Sequence, residues 1–503
     1  MDKFDWRDVD IRYFAVAASL LISVYRLLVS DAPNDDAFTY VRTAEIYLSN
    51  GLTAALEHYS WATYSIVIAT LHQLLNIELL LAGRLLNAAF YVLLVFGFIS
   101  IVREFTDERR VLIFAALTVL LYPQLNEYRD LVLRDIGFWS LALLALWQFV
   151  KYSSNGRLQQ AALFCLALLA AATLRAEAVL YLLLLPFSLL LDTRYPFTSR
   201  RRRFGKIFGL AVLALAVAFS ATLIAGYNLF TLLQQFASVY LPFFSAAVNP
   251  DPATASAMSQ VLFNEHAANY SEEYLTLFVL AGLTAILIAN SLPAIGAAFI
   301  IVLVYGWYRK LLQLPRMLTL PLLSVVLINS AMVLTFVLIT RYMSSRYMVM
   351  LGLALALLVP FILHRALDRA ERSGNKTVAV RMIALMWLYC GVDAYISFGE
   401  NKSYLQDAVA WLQLNTPSSA ELLTNNHNIA YFSGRVEDYD RVETVLSNEQ
   451  VRQAAPGSYL ALELNFEIEQ LLADQSVSPL LELESVFPSP PEQRIAIYRR
   501  IEN

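Results

Sequence analysis

Apolar positions in this chain come in long runs with few polar interruptions. The clear ones are approximately 13–30, 84–102, 111–123, 133–150, 159–174, 176–191, 206–226, 293–308, 318–340, 347–364 and 378–398. A helix needs roughly 17–25 mostly apolar residues to cross a bilayer, and shorter runs suffice where neighbouring protein covers the backbone. The pattern therefore predicts a polytopic helical membrane protein. Two further stretches, 61–75 and 274–290, read equally as spans, re-entrant pieces or helices lying at the interface. After residue 400 the pattern changes. Apolar runs shorten, and Pro417, Pro456, Pro479, Pro488, Pro490 and Pro491 punctuate a more polar chain. Ala420–Thr424 and Ser458–Leu462 predict short buried strands, and Asp407–Leu414 predicts a short amphipathic helix. About a hundred residues can bury a modest core. The expected division is a membrane domain over 1–399 and a small soluble α/β domain over 400–503.

Composition agrees with this and narrows the class. The chain of 503 residues is 58% hydrophobic and 16% charged, against roughly 25% charged in an average soluble domain. Its mean hydropathy is +0.54. These values exclude a disordered chain, a coiled coil and an ordinary cytosolic enzyme. A net charge of −4 excludes a basic nucleic-acid binder. Cys165 and Cys390 both lie inside apolar runs, so no disulfide framework is expected. The first run contains Arg26, and its small-x-small site, Ser30-Asp31-Ala32, is followed by Pro33. It reads as an uncleaved first span.

Basic residues set the expected orientation. Lys3, Arg7 and Arg12 precede the first span. Arg103, Arg109 and Arg110, then Lys151 and Arg157, then Arg194, Arg200 to Arg203 and Lys206 occupy alternate loops. The intervening long loops, 31–83 and 227–292, hold Arg42 as their one Lys or Arg. With 274–290 interfacial and 293–308 crossing, the clusters at Arg309, Lys310 and Arg316 and at Arg365, Arg369, Arg372 and Lys376 also fall inside. The expectation is about eleven spans, N-terminus in and C-terminus out. The tail is then extracytoplasmic. The four-arginine run reads as a topology determinant beside anionic lipid.

Four polar clusters then fall on the outer side. The first is Asn34-Asp35-Asp36 with Tyr40. The second runs from Tyr122 through Arg129 and Asp130 to Arg134-Asp135. The third is Arg175-Ala176-Glu177, wedged between two spans. The fourth is Arg341 to Tyr347, which includes Arg346. Each has a bland alternative: Asn34 or Asp35 could cap the following helix, and Arg134 with Asp135 could be an ion pair at a span mouth. Charges this close to the membrane are costly and usually functional. Asp35, Asp36 and Asp135 are the acids, suited to a general base or to a divalent cation. Arg129, Arg134, Arg175, Arg341 and Arg346 supply fixed positive charge, and an arginine fork holds two phosphate oxygens at once. A carboxylate beside arginines at a membrane face fits a reaction on a lipid-linked phosphate. The carboxylate would deprotonate an attacking hydroxyl, and the arginines would stabilise the departing phosphate. The five histidines show no zinc spacing; His58 lies near the first acidic pair.

On these residues the chain resembles the GT-C glycosyltransferases, in particular the group of lipid A aminoarabinose transferases and protein O-mannosyltransferases. Asp36-Ala37-Phe38-Thr39-Tyr40 is similar to the family's Asp-x-x-x-Tyr in the first outer loop. Tyr59 to Leu75 followed by Gly83-Arg84-Leu85-Leu86-Asn87, Leu133-Arg134-Asp135 before a span, Arg341-Tyr342, and Ala430-Tyr431-Phe432-Ser433-Gly434 in the tail add to it. The resemblance implies an inverting transferase that uses a polyprenyl-phosphate sugar at the periplasmic face of a bacterial inner membrane. It places the catalytic aspartate at Asp36 and the second acid at Asp135. Most relatives have Asp-Glu at the first site. Here Ala37 follows Asp36, so Asp35 would supply the second carboxylate from the other side, and the spacing for sharing a divalent cation is altered. The donor phosphate is expected on Arg341, Arg346, Arg175 and Arg134, with substrate contacts from Tyr40, His58, Tyr59, Glu177, Arg129 and Tyr347. Any metal would use Asp35, Asp36 and Asp135. The expected partners are the lipid-linked donor, membrane lipid and an acceptor that is a glycolipid, a glycan or a protein.

Two other classes compete. A transporter or flippase for a lipid-linked saccharide would show repeated halves and mid-membrane charges; no repeat is visible, and Arg26 is the clearest mid-span charge. A receptor or assembly protein anchored by its spans would not need so many of them.

Overall fold

The computed structural model of this protein describes residues 9–29, 32–224, 252–263, 274–312, 316–396 and 402–502, with Phe230, Gln234, Ala237, Ser238 and Leu241. Each predicted apolar run falls mostly on helix over the described residues. The elements are Ile11–Val29, Leu79–Arg103, Arg109–Leu120, Arg134–Asn155, Leu158–Ala172, Ala178–Leu184 continuing as the 3-10 turn Leu185–Leu191, Phe197–Ile224, Ala297–Tyr308, Arg316–Thr340, the broken set Ser345–Met348, Val349–Ala356 and Val359–Arg372, and Lys376–Tyr395. Among the described residues seven helices are long and apolar enough to cross a membrane. The protein is a mainly helical integral membrane protein.

The two ambiguous stretches resolve into helices of different reach. Thr63–Leu75 has 13 residues, which at 1.5 Å per residue falls well short of a hydrocarbon core about 30 Å thick. The stretch expected to lie at the interface, 274–290, is the helix Leu275–Ile295, 21 residues long with hydropathy 2.1, enough to cross by itself. It ends at Gly296, whose φ of 85° starts the separate 12-residue helix Ala297–Tyr308. The run expected as one crossing over 293–308 is thus divided by a glycine in a backbone region that L-residues avoid. Much of the loop 227–292, expected on the outer side, and the expected domain boundary at 399/400 lie outside the described residues.

The chain divides into two compact units. One comprises residues 1–22, 88–129 and 134–397; the other comprises 23–87, 130–133 and 398–503. In the first, buried aromatics fill the helix contacts, with Phe149 and Phe164 5.4 Å apart and Trp139, Tyr91 and Tyr122 at most 2% exposed. Tyr122 donates its hydroxyl hydrogen to the carbonyl of Ala294 directly over Gly352. A side chain at 352 would occupy the space of that hydroxyl, so only glycine fits. Phe197–Ile224 and Leu275–Ile295 turn most of their apolar side chains outward, which carries no penalty against lipid tails.

The second unit holds a four-stranded mixed sheet of β1 (Leu422–Thr424), β2 (Tyr459–Glu463), β3 (Leu481–Phe487) and β4 (Ile495–Arg500), in the order β1-β2-β4-β3. β1 runs parallel to β2; the other pairs are antiparallel. β2 is buried on both faces, which explains why Tyr459-Leu460-Ala461-Leu462 reads as a continuous apolar run. Tyr459 and Ala461 pack with Leu405, Ala408 and Leu412 of the helix Ser403–Asn415, while Leu460 and Leu462 pack with Val451, Ile468 and Leu471 on the other side. Both predicted strands and the predicted helix are present, and the tail is an α/β fold.

Candidate active site

In the first unit the charged groups gather around Asp135. This residue is second in the helix Arg134–Asn155 and is 2% exposed. Arg175 sits in the tight turn between Leu158–Ala172 and Ala178–Leu184, and its Nη1 donates to Asp135. The same guanidinium donates from Nη2 and Nε to Glu177 Oε1 at 2.5 and 3.1 Å. One planar fork thus ties two carboxylates. Arg346 and Arg134 also lie close enough to act on the Asp135 charge. Tyr347 is stacked between two cations: Arg175 lies 4.9 Å and Arg346 5.4 Å from its ring centroid. Tyr128 meets Ser345 at 3.1 Å, and Gln124 donates to Tyr128 at 2.9 Å.

Sequence reasoning grouped most of these residues but mispaired one. The ion pair at the mouth of this span joins Asp135 to Arg175, forty positions away, not to its neighbour Arg134. Arg341 is exposed, with φ 55°. Arg129 is engaged elsewhere in the same unit: it is 3% exposed, donates to Asn126 at 2.8 Å and to Ser19 at 3.1 Å, and lies 4.1 Å over the Tyr91 ring. Tyr128 and Ser345 fall within the second and fourth sequence clusters, and their meeting across the unit left no mark in the sequence.

The second unit carries the other acids. Asp35 and Asp36 form the first turn of the helix Asp35–His58, where the helix dipole favours negative charge. Asp35 is exposed and Asp36 half-buried. Asn34 stands at the N-cap position but makes no cap hydrogen bond. Its side chain instead accepts from the Val132 N–H at 2.9 Å and donates to the Val132 carbonyl at 3.2 Å. Asn87 donates to the Leu131 carbonyl, and Arg26 pairs with Asp130 at 2.6 Å. The segment 130–133 is therefore held at three successive residues by side chains of this unit. Arg26, read as a bare mid-span charge, has its counter-ion there.

Tyr40 follows Asp36 by one helical turn, so both point along the same face. Its ring lies 4.9 Å from Tyr64 and 5.9 Å from Tyr59, and Tyr64 donates to Asn87 at 2.7 Å. His58, expected near substrate, is tied to the tail. Its Nε2 lies 2.7 Å from Asp440 Oδ2, and Arg441 Nη2 lies 3.1 Å from its Nδ1. An arginine can only donate, so Nδ1 accepts and Nε2 carries the proton given to Asp440. Nothing in the sequence links positions so far apart. On the same helix, Phe38 packs against Tyr431, Tyr439 and His427. Burial, then the Glu45 charge, raises the Tyr439 phenol above its ordinary value, so it stays neutral.

The residues around Asp135 fit a metal poorly, since Asp135 already binds a guanidinium and has two more arginines acting on it. Asp35 and Asp36 are two adjacent carboxylates, a set that holds a divalent cation together with water or substrate phosphate. Among the described residues no three His, Cys, Asp or Glu side chains gather as ligands.

No family model matches the sequence, and no curated protein matches it. Solved structures do. The oligosaccharyltransferase of Archaeoglobus fulgidus, in complex with Zn and sulfate, aligns with a TM-score of 0.53 at 12% identity, over 98% of this chain and 73% of its own. The same organism's oligosaccharyltransferase AglB, in complex with an inhibitory peptide and a dolichol-phosphate, gives 0.52 at 13%, over 99% and 75%. ArnT from Cupriavidus metallidurans, in the apo state, gives 0.50 at 13%, over 97% of each chain. At these identities the likeness is one of fold, and the fold of this chain is the GT-C membrane fold.

Proposed function

We propose that this protein is an inverting membrane glycosyltransferase that moves a sugar from a polyprenyl-phosphate donor to an acceptor hydroxyl at the outer face of a bacterial inner membrane. The observation that supports this most is the gathering of Arg134, Arg175 and Arg346 at Asp135 in a GT-C fold. Arg175 ties Asp135 and Glu177 together there, and Arg134 and Arg346 act on the same Asp135 carboxylate. Guanidiniums gathered at the mouth of a membrane helix suit a lipid phosphate, which is also what the archaeal structure with dolichol-phosphate binds. Arg346 and Arg175 would hold the phosphate, and Arg134 would add to the field. Arg341 enters this set only if it turns toward the same phosphate.

Asp36 is the proposed general base. It accepts the proton of the acceptor hydroxyl as that oxygen attacks the anomeric carbon. The bond from that carbon to the phosphate oxygen breaks on the opposite face. The products are a glycosylated acceptor with inverted configuration, polyprenyl phosphate, and a protonated Asp36. Tyr59, half-buried and backed at 5.9 Å by the buried Tyr40, would form an aromatic wall for the sugar. No step is routed through a metal.

The test uses the full chain purified in detergent, a panel of polyprenyl-phosphate sugars, and a membrane extract as acceptor source. Release of polyprenyl phosphate is the readout. Asp36→Asn should lower it ~10²–10⁴-fold, the usual worth of a general base, while leaving binding of donor lipid intact. If the wild-type chain releases no polyprenyl phosphate but moves intact donor lipid across vesicle membranes, it is a transporter and the proposal fails.

A further inference from the structure

The four-arginine run 200–203 is not a uniform positive surface. Two of its members are spent inside the first unit. Arg200 donates to the Leu190 carbonyl at 2.9 Å, and Arg203 donates to the Ser153 carbonyl at 2.7 Å with its guanidinium 3.9 Å over the Tyr195 ring. Positions 200 and 203 lie one turn apart on one face of the helix Phe197–Ile224, and that face is turned to protein. Arg201 and Arg202 point the other way and are exposed, as is Lys206, one turn beyond Arg202.

Among the described residues no acid pairs with these three. Between residues 151 and 206 the acids are Glu177 and Asp192. Glu177 belongs to the Arg175 pair at the far end of its helix, and Asp192 is paired with Arg194 at 2.6 Å. Directly after the cations comes an aromatic ledge. Phe204 follows Arg201 by three residues and Phe208 by seven. Their rings lie 5.1 Å apart, and Phe187 contacts them at 4.9 and 5.6 Å. Phe187 is 46% and Leu191 65% exposed. Positive charge thus stands at the end of a long apolar helix, with an exposed ring cluster one turn deeper.

We propose that Arg201, Arg202 and Lys206, together with the ledge of Phe187, Phe204 and Phe208, form a binding site for an anionic phospholipid. The cations take the headgroup phosphate and the rings take the first part of the acyl chains. A soluble anion would use the cations but has no use for the ledge, and a zwitterionic lipid would use the ledge but gain little from the cations. The pairing of the two selects a phospholipid with net negative charge.

The experiment is native mass spectrometry of the full chain in detergent, titrated with phosphatidylglycerol, phosphatidylcholine or inorganic phosphate. Phosphatidylglycerol adducts should exceed phosphatidylcholine adducts, and inorganic phosphate at matched concentration should not displace them. Arg201→Gln with Arg202→Gln should weaken phosphatidylglycerol binding about thirtyfold, the factor given by roughly 1 kcal/mol for each of two basic residues. Arg201→Lys with Arg202→Lys, a folded control that keeps the charge, should retain most of it. Equal binding of both lipids, displacement by phosphate, or loss of binding in the Lys pair would each overturn the proposal. A topology effect of the Gln pair would show as poor insertion, which the Lys pair separates from lost binding.

Discussion

Replacing Asp135 by Asn separates a structural carboxylate from a reacting one. The substitution keeps the size of the side chain and removes its charge. Asp135 is 2% exposed, and its partner Arg175 has a side chain only 13% exposed. Removing one member of a buried pair costs about 3–5 kcal/mol, because the remaining charge is left uncompensated. Glu177 still neutralises Arg175, which argues for the lower end. Against that, Arg134 and Arg346 also lose the carboxylate they act on. The expected cost of Asp135→Asn is therefore about 3–5 kcal/mol. Glu177 has a side chain 36% exposed, so Glu177→Gln loses a pair closer to the surface class and should cost about 1 kcal/mol. The assay is thermal unfolding in detergent, read as loss of the monodisperse peak, alongside expression level. At roughly 2 °C per kcal/mol for a long chain, the midpoint should fall by about 6–10 °C for Asp135→Asn and about 2 °C for Glu177→Gln. Equal midpoints for the two variants would refute the reasoning. So would an Asp135→Asn variant that keeps its stability and expression but loses all turnover, since Asp135 would then be acting on substrate.

Asp440→Asn should loosen the tail segment around residues 435–444 while leaving the sheet intact, because His58 loses the carboxylate that accepts its Nε2 proton; hydrogen exchange confined to that segment and to the end of the helix Asp35–His58 would check it, and unchanged exchange in both would count against it. Burial pushes the Asp10 carboxyl up, but the hydrogen bonds from Arg12 and the charges of Arg12 and Arg103 outweigh it and hold the group down at about 2. A depressed folded-state pKa contributes stability above the unfolded value near 4 and loses it as the pH falls toward 2. The difference in unfolding midpoint between wild type and Asp10→Asn should accordingly be present at pH 6 and close between about pH 4 and 2; a gap that persists at pH 2 would contradict it.

The membrane helices were legible because their signal is local: each is written in consecutive apolar residues. The strands of the tail were legible for the same reason, with Tyr459-Leu460-Ala461-Leu462 buried on both faces of one strand. The reach of the stretch 274–290 was not legible, because a charge-counting rule assigned it and carries no measure of helix length. Helix length depends on where Gly296 breaks the chain, and loop charges carry no trace of that. At the sites, sequence named most of the residues but not their partners. Arg134 stood next to Asp135, so adjacency suggested a pair. Residues i and i+1 on a helix do not face each other, and the turn at Arg175 delivers the partner. Asn34 likewise looked like a cap, since Asn at that position usually is one. The backbone of Val132, 98 positions away, takes both of its side-chain groups.

The three acids singled out from the sequence sit in environments that push them toward different work. An oxygen that already accepts from a guanidinium, with two further arginines acting on the same carboxylate, is poorly placed to take a proton from a substrate hydroxyl. That describes Asp135, whose chemistry is to anchor Arg175 and to fix the direction of its fork. Asp35 and Asp36 stand on the first turn of a helix, one exposed and one half-buried, on a stem that Asn34 clamps to backbone rather than capping. Of these two, only Asp36 is one turn from Tyr40, so only Asp36 shares a face with the ring cluster Tyr40, Tyr59 and Tyr64. Tyr40 and Tyr64 are buried, at 4% and 1% exposure, so the half-buried Tyr59 is the ring of this cluster left to a substrate. When carboxylates differ this much in surroundings, the roles follow the surroundings: Asp135 sits among arginines, and the proton transfer is proposed for Asp36.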